Sequence, residues 1–184
     1  MAASKEVWSV RFVVQLSEKE RSDFVVEVHP EWAPVGVNRF RDLIDCNYFV
    51  GCRIYRVIPG FVAQFGIPAD PAEWTKWGAR KIKDDNPVQG NNKGYMSFAT
   101  SGPNARGSQI FINLIDNRES LDSQNMFAPF AKVTSGMDSC VDRFYSGYTE
   151  RNQKPDQLSA KEYGNEYFQQ KFPLLSYIVS TEIL

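Results

Sequence analysis

The feature that most constrains the fold is a Pro59-Gly60 corner inside the stretch RIYRVIPGFVAQFG, which runs from Arg53 to Gly66. Strand-forming residues flank the corner on both sides. If the chain reverses there, Arg56 and Gln64, each four residues from the glycine, lie opposite each other on adjacent strands. In one extended strand they would lie about 27 Å apart. The corner therefore predicts a β-hairpin that pairs a cation with an amide.

A second stretch, GYMSFATSGPNARGSQIFINL from Gly94 to Leu114, contains two strand-like runs separated by a Ser-Gly-Pro-Asn turn. Alternation along the second run places Gln109 and Phe111 on one face of the sheet and Ile110 on the other. Together with the hairpin, this pattern predicts a pocket with an apolar floor and a polar edge. Such a pocket suits a ligand that combines a ring with a carbonyl group.

The remaining segments alternate between strand-like runs and turns, with two helical patterns. Further strands are predicted over residues 7–16, 23–29, 125–133 and 176–183. Helices are predicted over 37–46, just after Pro34, and from Ser135 to about Tyr145. Residues 116–124 and 145–157 are interpreted as loops, and 163–172 as a short helical turn. This pattern leaves a barrel and a sandwich as alternatives.

Composition limits the function classes. A chain of 184 residues suits one domain, which we place at residues 5–184. The 21 basic and 22 acidic side chains are mixed along the sequence, so we expect neither nucleic acid nor a membrane as a partner. The first residues lack the apolar stretch of a secretory signal, which favours a cytosolic location. With a single histidine, His29, and no CxxC motif, we expect no metal site and no Ser-His-Asp catalysis.

The segment from residue 67 to 93 is rich in charge, proline and turn residues. Its tryptophans, Trp74 and Trp77, are expected to cover one end of the core. The basic cluster Arg80, Lys81 and Lys83 is interpreted as solvated surface in preference to a binding patch.

Four blocks of the sequence resemble the cyclophilin family of peptidyl-prolyl isomerases. YRVIPGFVAQ (55–64) and SFATSGPNARGSQIFI (97–112) have the order and spacing of that family, and LDSQNMFAPFAKV (121–133) and YGNEYFQQKFPLLSYI (163–178) resemble later parts of it. The resemblance extends from about residue 7 to about residue 183, and the chain looks like a short-loop, divergent member.

The resemblance implies a mainly β fold, a closed eight-stranded antiparallel β-barrel capped by two α-helices, with a ligand groove on its outer surface. It also implies a monomeric, cofactor-independent isomerase that rotates X-Pro bonds and assists folding. Rotation needs no nucleophile, since its barrier of about 18–20 kcal/mol arises from amide resonance. Arg56 would stabilise the twisted amide and Gln64 would orient the peptide. The alternatives are a surface ion pair for Arg56, and a proline-peptide binding module with little turnover.

By position in the matching blocks, eight residues would bind substrate. They are Phe61, Val62, Ala99, Thr100, Gln109, Phe111, Leu121 and Phe127. The apolar ones could equally belong to an ordinary core, while backbone groups of residues 99–100 would pair with an extended peptide.

Departures from the family pattern concern the pocket. Ser120 replaces a frequent tryptophan associated with cyclosporin binding, and Phe127, or Asn125, stands where many members carry histidine. Val62 replaces a commoner methionine. We expect proline-containing peptides or proteins as partners, and weak binding of cyclosporin-type inhibitors.

Overall fold

The computed structural model describes residues 6–148 and 153–184. These residues contain strands β1 Trp8–Ser17, β2 Glu20–Val28, β3 Arg56–Val57, β4 Val62–Phe65, β5 Tyr95–Phe98, β6 Ile110–Asn113, β7 Pro129–Ser135 and β8 Tyr177–Ile183. They also contain helices α1 Pro34–Asp45, α2 Pro71–Glu73, α3 Arg118–Leu121, α4 Gln157–Tyr163 and α5 Asn165–Lys171. In the described ranges, none of the helices has the length and apolar content that a membrane crossing requires.

The strands form one antiparallel sheet in the order β3-β4-β6-β5-β7-β2-β1-β8. The sheet curls strongly, so that the segment before β3 reaches β8. An isolated bridge joins Arg53 to Tyr177, and the amide of Ile54 donates to the carbonyl of Ser176 at 2.9 Å. The predicted eight-stranded antiparallel architecture is confirmed. Its two ends meet through this bridge and a few hydrogen bonds, without a full ladder.

The β1–β2 hairpin supplies much of the core. Every second residue of β1 is buried, because alternate side chains of a strand point to opposite faces of the sheet. Phe12 on β1 stacks on Phe24 of β2, with ring centroids 4.9 Å apart. The first two predicted strands are therefore confirmed, although β2 begins three residues earlier than expected.

Helix α1 covers the same core. It buries a stripe that includes Val37, Phe40 and Leu43, and the Phe40 ring lies 4.9 Å from that of Phe130 on β7. Its first turn is capped by a residue that is distant in the sequence. The carboxylate of Asp85 accepts from the amides of Val35 (2.9 Å) and residue 36 (2.8 Å). The predicted first helix is confirmed and starts at the proline.

The predicted second helix from Ser135 to Tyr145 is wrong. Strand β7 extends to Ser135, and Gly136 turns the chain with a φ of 83°. A Cβ at Gly136 would lie 2.3 Å from the carbonyl oxygen of Asp23, so the turn presses directly against β2. The segment continues as turns with a single 3₁₀ turn at 141–143. Cys140, Val141 and Phe144 are buried and Met137 is partly buried, but they lie on consecutive turns and not on one face of a helix.

Helical structure lies near the C-terminus, where α4 and α5 follow each other, and α5 confirms the helical turn predicted over 163–172. The Asp156 carboxylate caps α4 by accepting from the amide of Ser159 at 2.9 Å, and Gly164 separates the two helices with a φ of 58°. The expected loop at 116–124 contains α3 and a 3₁₀ turn, and the strand expected from residue 125 begins at Pro129. The expected domain start at residue 5 and part of the loop at 145–157 lie outside the described residues.

Candidate functional site

The predicted hairpin is confirmed, and it places Arg56 beside Gln64. The two residues are direct partners on β3 and β4, and the Arg56 guanidinium donates to Oε1 of Gln64 at 3.2 Å. Gly60 supplies the reversal with a φ of 74°, and the amide of Phe61 donates to the carbonyl of Ile58 at 2.9 Å across the turn. The cation and the amide therefore lie at one edge of the curled sheet.

An apolar cluster lies beside this polar pair and is separate from the main core. Val62, Phe111 and Leu121 are buried in it, and they are packed against Phe61 and two other partly buried residues, Ala99 and Phe127. The Phe111 and Phe127 rings meet edge to face with centroids 5.7 Å apart. Ile110 and Ile112 point to the main core instead. These apolar groove residues therefore form a cluster of their own beside the main core.

The polar pair and the apolar cluster line one open groove with a volume of about 360 Å³. All ten residues proposed from the sequence line it: Arg56, Phe61, Val62, Gln64, Ala99, Thr100, Gln109, Phe111, Leu121 and Phe127. Of the two candidates for the histidine position, Phe127 lines the groove, whereas Asn125 lies exposed after a 3₁₀ turn. The amide of Ala99 donates to the carbonyl of Gln109 at 2.9 Å and is thus engaged within the protein.

A relay of hydrogen bonds fixes the polar edge. The Gln64 side chain, which accepts from Arg56, donates from Nε2 to Oε1 of Gln109 at 3.2 Å. The buried Tyr55 hydroxyl donates to the same oxygen. Burial raises the pKa of Tyr55, although the nearby Arg56 charge acts in the opposite direction. The phenol therefore keeps its proton and holds the side-chain oxygen of Gln109 toward Gln64.

Buried asparagines hold the walls of the groove from below. Asn117 Nδ2 donates to the carbonyl of Phe61 at 2.9 Å, and Asn91 Nδ2 donates to the carbonyl of Phe127 at 3.0 Å. Asn113 connects them, since its Oδ1 accepts from Asn117 and its Nδ2 donates to Oδ1 of Asn91. All three amides are at most 3% exposed. The network ties Phe61 and Phe127 of the apolar cluster to one buried framework.

Several groove residues were missed by sequence reasoning. Trp74, Lys81, Gln157 and Lys161 line the groove, whereas Trp77 packs against the core as expected. Lys81 was interpreted as solvated surface, and no element was predicted over residues 158–162, which carry Lys161, so neither lysine was placed near the site. A glutamine at the start of α4 had no signal of its own, although Gln109 Nε2 reaches its Oε1 at 3.5 Å.

No metal centre accompanies the groove in the part of the chain that the structure describes. Within residues 6–148 and 153–184, no three or more histidine, cysteine, aspartate or glutamate side chains group closely enough to hold an ion. The groove is lined instead by the Arg56 guanidinium, the ammonium groups of Lys81 and Lys161, side-chain amides and apolar side chains.

Comparison with known protein families settles the relationship of the chain. The family model described as "Cyclophilin type peptidyl-prolyl cis-trans isomerase/CLD" matches residues 13–161. The chain belongs to the cyclophilin family. This confirms the resemblance seen in the sequence blocks, and it places the groove residues within the matched range.

Curated cyclophilins of moderate similarity include human peptidyl-prolyl cis-trans isomerase-like 3. It is 33% identical over 121 residues, which cover 64% of this chain and 73% of the relative. Peptidyl-prolyl cis-trans isomerase-like 1 of Aspergillus fumigatus is 34% identical over 120 residues, which cover 62% and 71%. The similarity is therefore concentrated in about two thirds of this cyclophilin.

Solved structures confirm the fold over nearly the whole chain. A Cryptosporidium parvum cyclophilin type peptidyl-prolyl cis-trans isomerase matches with a TM-score of 0.68 and 20% identity, covering 97% of this chain and 98% of the other. A structure of the same protein in the presence of the dipeptide Ala-Pro matches with a TM-score of 0.67, at 20% identity, covering 96% and 98%. The curled sheet with its helices is thus a cyclophilin fold.

Proposed function

We propose that this cyclophilin catalyses cis-trans isomerisation of X-Pro peptide bonds and so assists protein folding. One observation carries the proposal: the guanidinium of Arg56 and the apolar cluster around Phe111 line the same groove. A proline ring has an apolar socket there, and a cation stands beside it. The Ala-Pro dipeptide used with the related Cryptosporidium parvum structure is consistent with a proline-sized ligand.

The proposed mechanism requires preferential binding of the twisted amide. When the X-Pro bond rotates, the prolyl nitrogen loses its conjugation and gains a lone pair, which can accept a hydrogen bond. Arg56 presents a permanently charged, multidonor group to that nitrogen and to the adjacent carbonyl. Its contact with Gln64 limits the freedom of the guanidinium, because Gln64 is held in turn by Gln109 and Tyr55.

The other groove residues bind the substrate in this proposal. Phe61, Val62, Phe111, Leu121 and Phe127 surround the proline ring. Gln109 and the backbone of residues 99–100 contact the extended peptide on one side. The proposal needs no cofactor, since no bond is broken and no electron is transferred in the rotation.

The decisive experiment measures exchange between cis and trans X-Pro isomers of a short peptide by NMR. We expect wild-type protein to accelerate exchange, and we expect Arg56→Ala to lower kcat/KM by about 100-fold, the scale for loss of one electrostatic donor. Arg41→Ala is the matched control, because that exposed guanidinium pairs with Asp45 on α1, away from the groove. Equal rates for wild type and Arg56→Ala would reject the catalytic assignment.

A titration of the same peptide, followed by NMR, separates the isomerase from a binding module. The second reading is motivated by Ser120, which stands where many members of the family carry tryptophan; its hydroxyl donates to the carbonyl of Asn117 at 3.1 Å, and the residue does not line the groove. Chemical-shift changes at the groove without faster exchange would assign a proline-peptide binding module.

The proposal also includes a single domain over residues 5–184, a monomer and a cytosolic location. Limited proteolysis, gel filtration and cell fractionation test these three points. A cleavable linker within the range, a dimer peak or a membrane-associated fraction would contradict them.

A further inference from the structure

Two lysines and an indole form one end of the groove. Lys161 Nζ lies 4.7 Å from the ring centroid of Trp74, and Lys81 Nζ lies 5.5 Å from it. All three residues line the same groove as Arg56 and Phe111. Both ammonium groups thus lie within the range in which an aromatic ring attracts a cation. The groove therefore continues from its apolar cluster into a positively charged end.

Neither ammonium group forms an ion pair with a carboxylate in the part of the chain that the structure describes. The lysine ion pairs among the described residues involve Lys76, Lys93 and Lys132, and no carboxylate oxygen in those ranges lies within 4.0 Å of Lys81 or Lys161. Lys81 donates instead to the carbonyl oxygen of Gly78 at 2.9 Å. The positive end thus offers two ammonium groups to a ligand.

The electrostatics of this end favour an anion. Burial lowers the pKa of Lys161, and the positive charge of Lys81 lowers it further, more than Asp156 raises it. Burial also lowers the pKa of Lys81, with a contribution from Arg39. The Asp156 carboxylate is occupied at the start of α4, where it accepts from the amide and the hydroxyl of Ser159. A nearby anion would therefore stabilise the charged form of both lysines.

Hydrogen bonds from Arg39 to backbone carbonyl groups hold this end in place relative to the rest of the groove. The Arg39 guanidinium on α1 donates to the carbonyl oxygens of Trp77 (3.2 Å), Arg80 (2.8 Å) and Gly107 (3.0 Å). Gly107 lines the groove, and a Cβ there would lie 2.3 Å from the carbonyl oxygen of Gly78. The segment that carries Trp74 and Lys81 is thus packed directly against the loop that precedes β6.

Lys161 reaches the same place from α4. Its neighbour Ala160 is completely buried in an apolar cluster with Tyr55, the residue that holds Gln109. Gln157, one turn earlier on α4, contacts Gln109. The helix that supplies Lys161 is therefore anchored on the framework of the polar edge.

We propose that this end of the groove binds an acidic side chain of the substrate, so that the protein prefers X-Pro segments with a carboxylate or a phosphate within a few residues of the proline. The inference deepens the proposed function, because it concerns a peptide whose proline occupies the apolar cluster. The anionic side chain and the proline would bind to two parts of one groove.

The test compares matched peptides that differ only in charge. Each has a central Ala-Pro and carries glutamate, its neutral isostere glutamine, or phosphoserine at one position, which is moved from four residues before the proline to three after it. Affinity is measured by NMR titration, and turnover by isomer exchange in the same samples. At the best position we expect glutamate to bind about threefold to tenfold more tightly than glutamine, the range for two solvent-accessible ion pairs.

Lysine variants show whether the two ammonium groups cause this preference. In Lys81→Gln/Lys161→Gln the ratio of glutamate to glutamine affinity should fall to about one, whereas Lys81→Arg/Lys161→Arg should retain it. Lys76→Gln is the matched control, since that lysine lies on the same turn as Trp74 but pairs with Glu73 outside the groove. The preference should also weaken at high salt, because exposed charges are screened.

The outcomes of the proposal and of the isomerase assignment are distinguishable. Equal affinity for glutamate and glutamine peptides at every position, or a preference that survives in the Lys81→Gln/Lys161→Gln protein, would overturn the acidic subsite. A preference limited to phosphoserine would assign the site to phosphorylated segments. Charge preference in binding without any acceleration of exchange would reject the isomerase assignment alone, while supporting the subsite.

Discussion

Replacing Asn91 with alanine removes the centre of the buried network below the groove. Its Oδ1 accepts from the hydroxyl of Ser97 at 2.9 Å and from Asn113 Nδ2 at 3.2 Å. Its Nδ2 donates to Asp122 Oδ1 at 2.8 Å and to the carbonyl of Phe127 at 3.0 Å. The alanine therefore breaks four hydrogen bonds at a position that is 0% exposed.

The four bonds do not contribute equally. Asn113 Nδ2 keeps the carbonyl of Tyr95 as a partner at 2.9 Å, whereas the buried Ser97 hydroxyl has no other partner among the described residues. At about 1 kcal/mol for each bond, with a further penalty for a buried polar group left unpaired, we expect a loss of about 3–5 kcal/mol in the free energy of unfolding. That is a large fraction of the stability of a typical domain.

Urea unfolding followed by far-ultraviolet circular dichroism measures this loss. Asn92→Ala is the matched control, since the neighbouring side chain is only half-buried and donates to the carbonyl of Gly90 at 3.1 Å. It should cost about 1 kcal/mol or less. Folded Asn91→Ala should also bind proline peptides more weakly, because the carbonyl of Phe127 is no longer held. A loss no greater than that of the control would refute the reasoning.

Three further predictions concern the polar edge and the pocket. Tyr55→Phe should lower kcat/KM in the NMR exchange assay by about threefold to tenfold, because Gln109, the acceptor of Gln64, loses its orienting donor. Ser120→Trp should tighten cyclosporin binding about tenfold in calorimetry, the scale of an aromatic anchor; unchanged affinity would refute the role of this position. Burial raises the pKa of Tyr48 and Tyr55, so both keep their protons in the folded state while the unfolded chain ionises. The free energy of unfolding should therefore fall as pH rises above about 10, and less so in Tyr48→Phe/Tyr55→Phe.

Local signals in the sequence were sufficient for the hairpin and for its groove face. The Pro-Gly corner between two strand-forming runs determined the register of Arg56 and Gln64, because a tight reversal leaves little choice of pairing. Alternation along β6 was sufficient to place Phe111 in the groove and Ile110 in the core. Family resemblance supplied the remaining groove residues, which spacing alone would not have found.

Contacts between distant segments account for what the sequence did not reveal. The cap of α1 comes from Asp85, about fifty residues away. The network below the groove joins Asn91, in the segment before β5, to Asn113 at the end of β6 and to Asn117 before α3. The spacing of apolar residues after Ser135 is typical of a helix. The segment forms turns instead, because Gly136 packs directly against β2. Single-residue patterns contain no information about such long-range contacts.

Separation of the apolar groove cluster from the main core explains how this cyclophilin departs from its family without loss of the fold. Val62 packs with Phe111 and Leu121 and is absent from the core cluster that α1 and the β1–β2 hairpin build. A change of side chain in the groove cluster should therefore alter the shape of the groove while leaving the core packing intact. The polar edge has no such freedom, because the side chains of Arg56 and Gln64 depend on one hydrogen-bonded relay. Substitution in the groove cluster is thus expected to change the shape of the groove, whereas substitution at Arg56 or Gln64 is expected to break the relay.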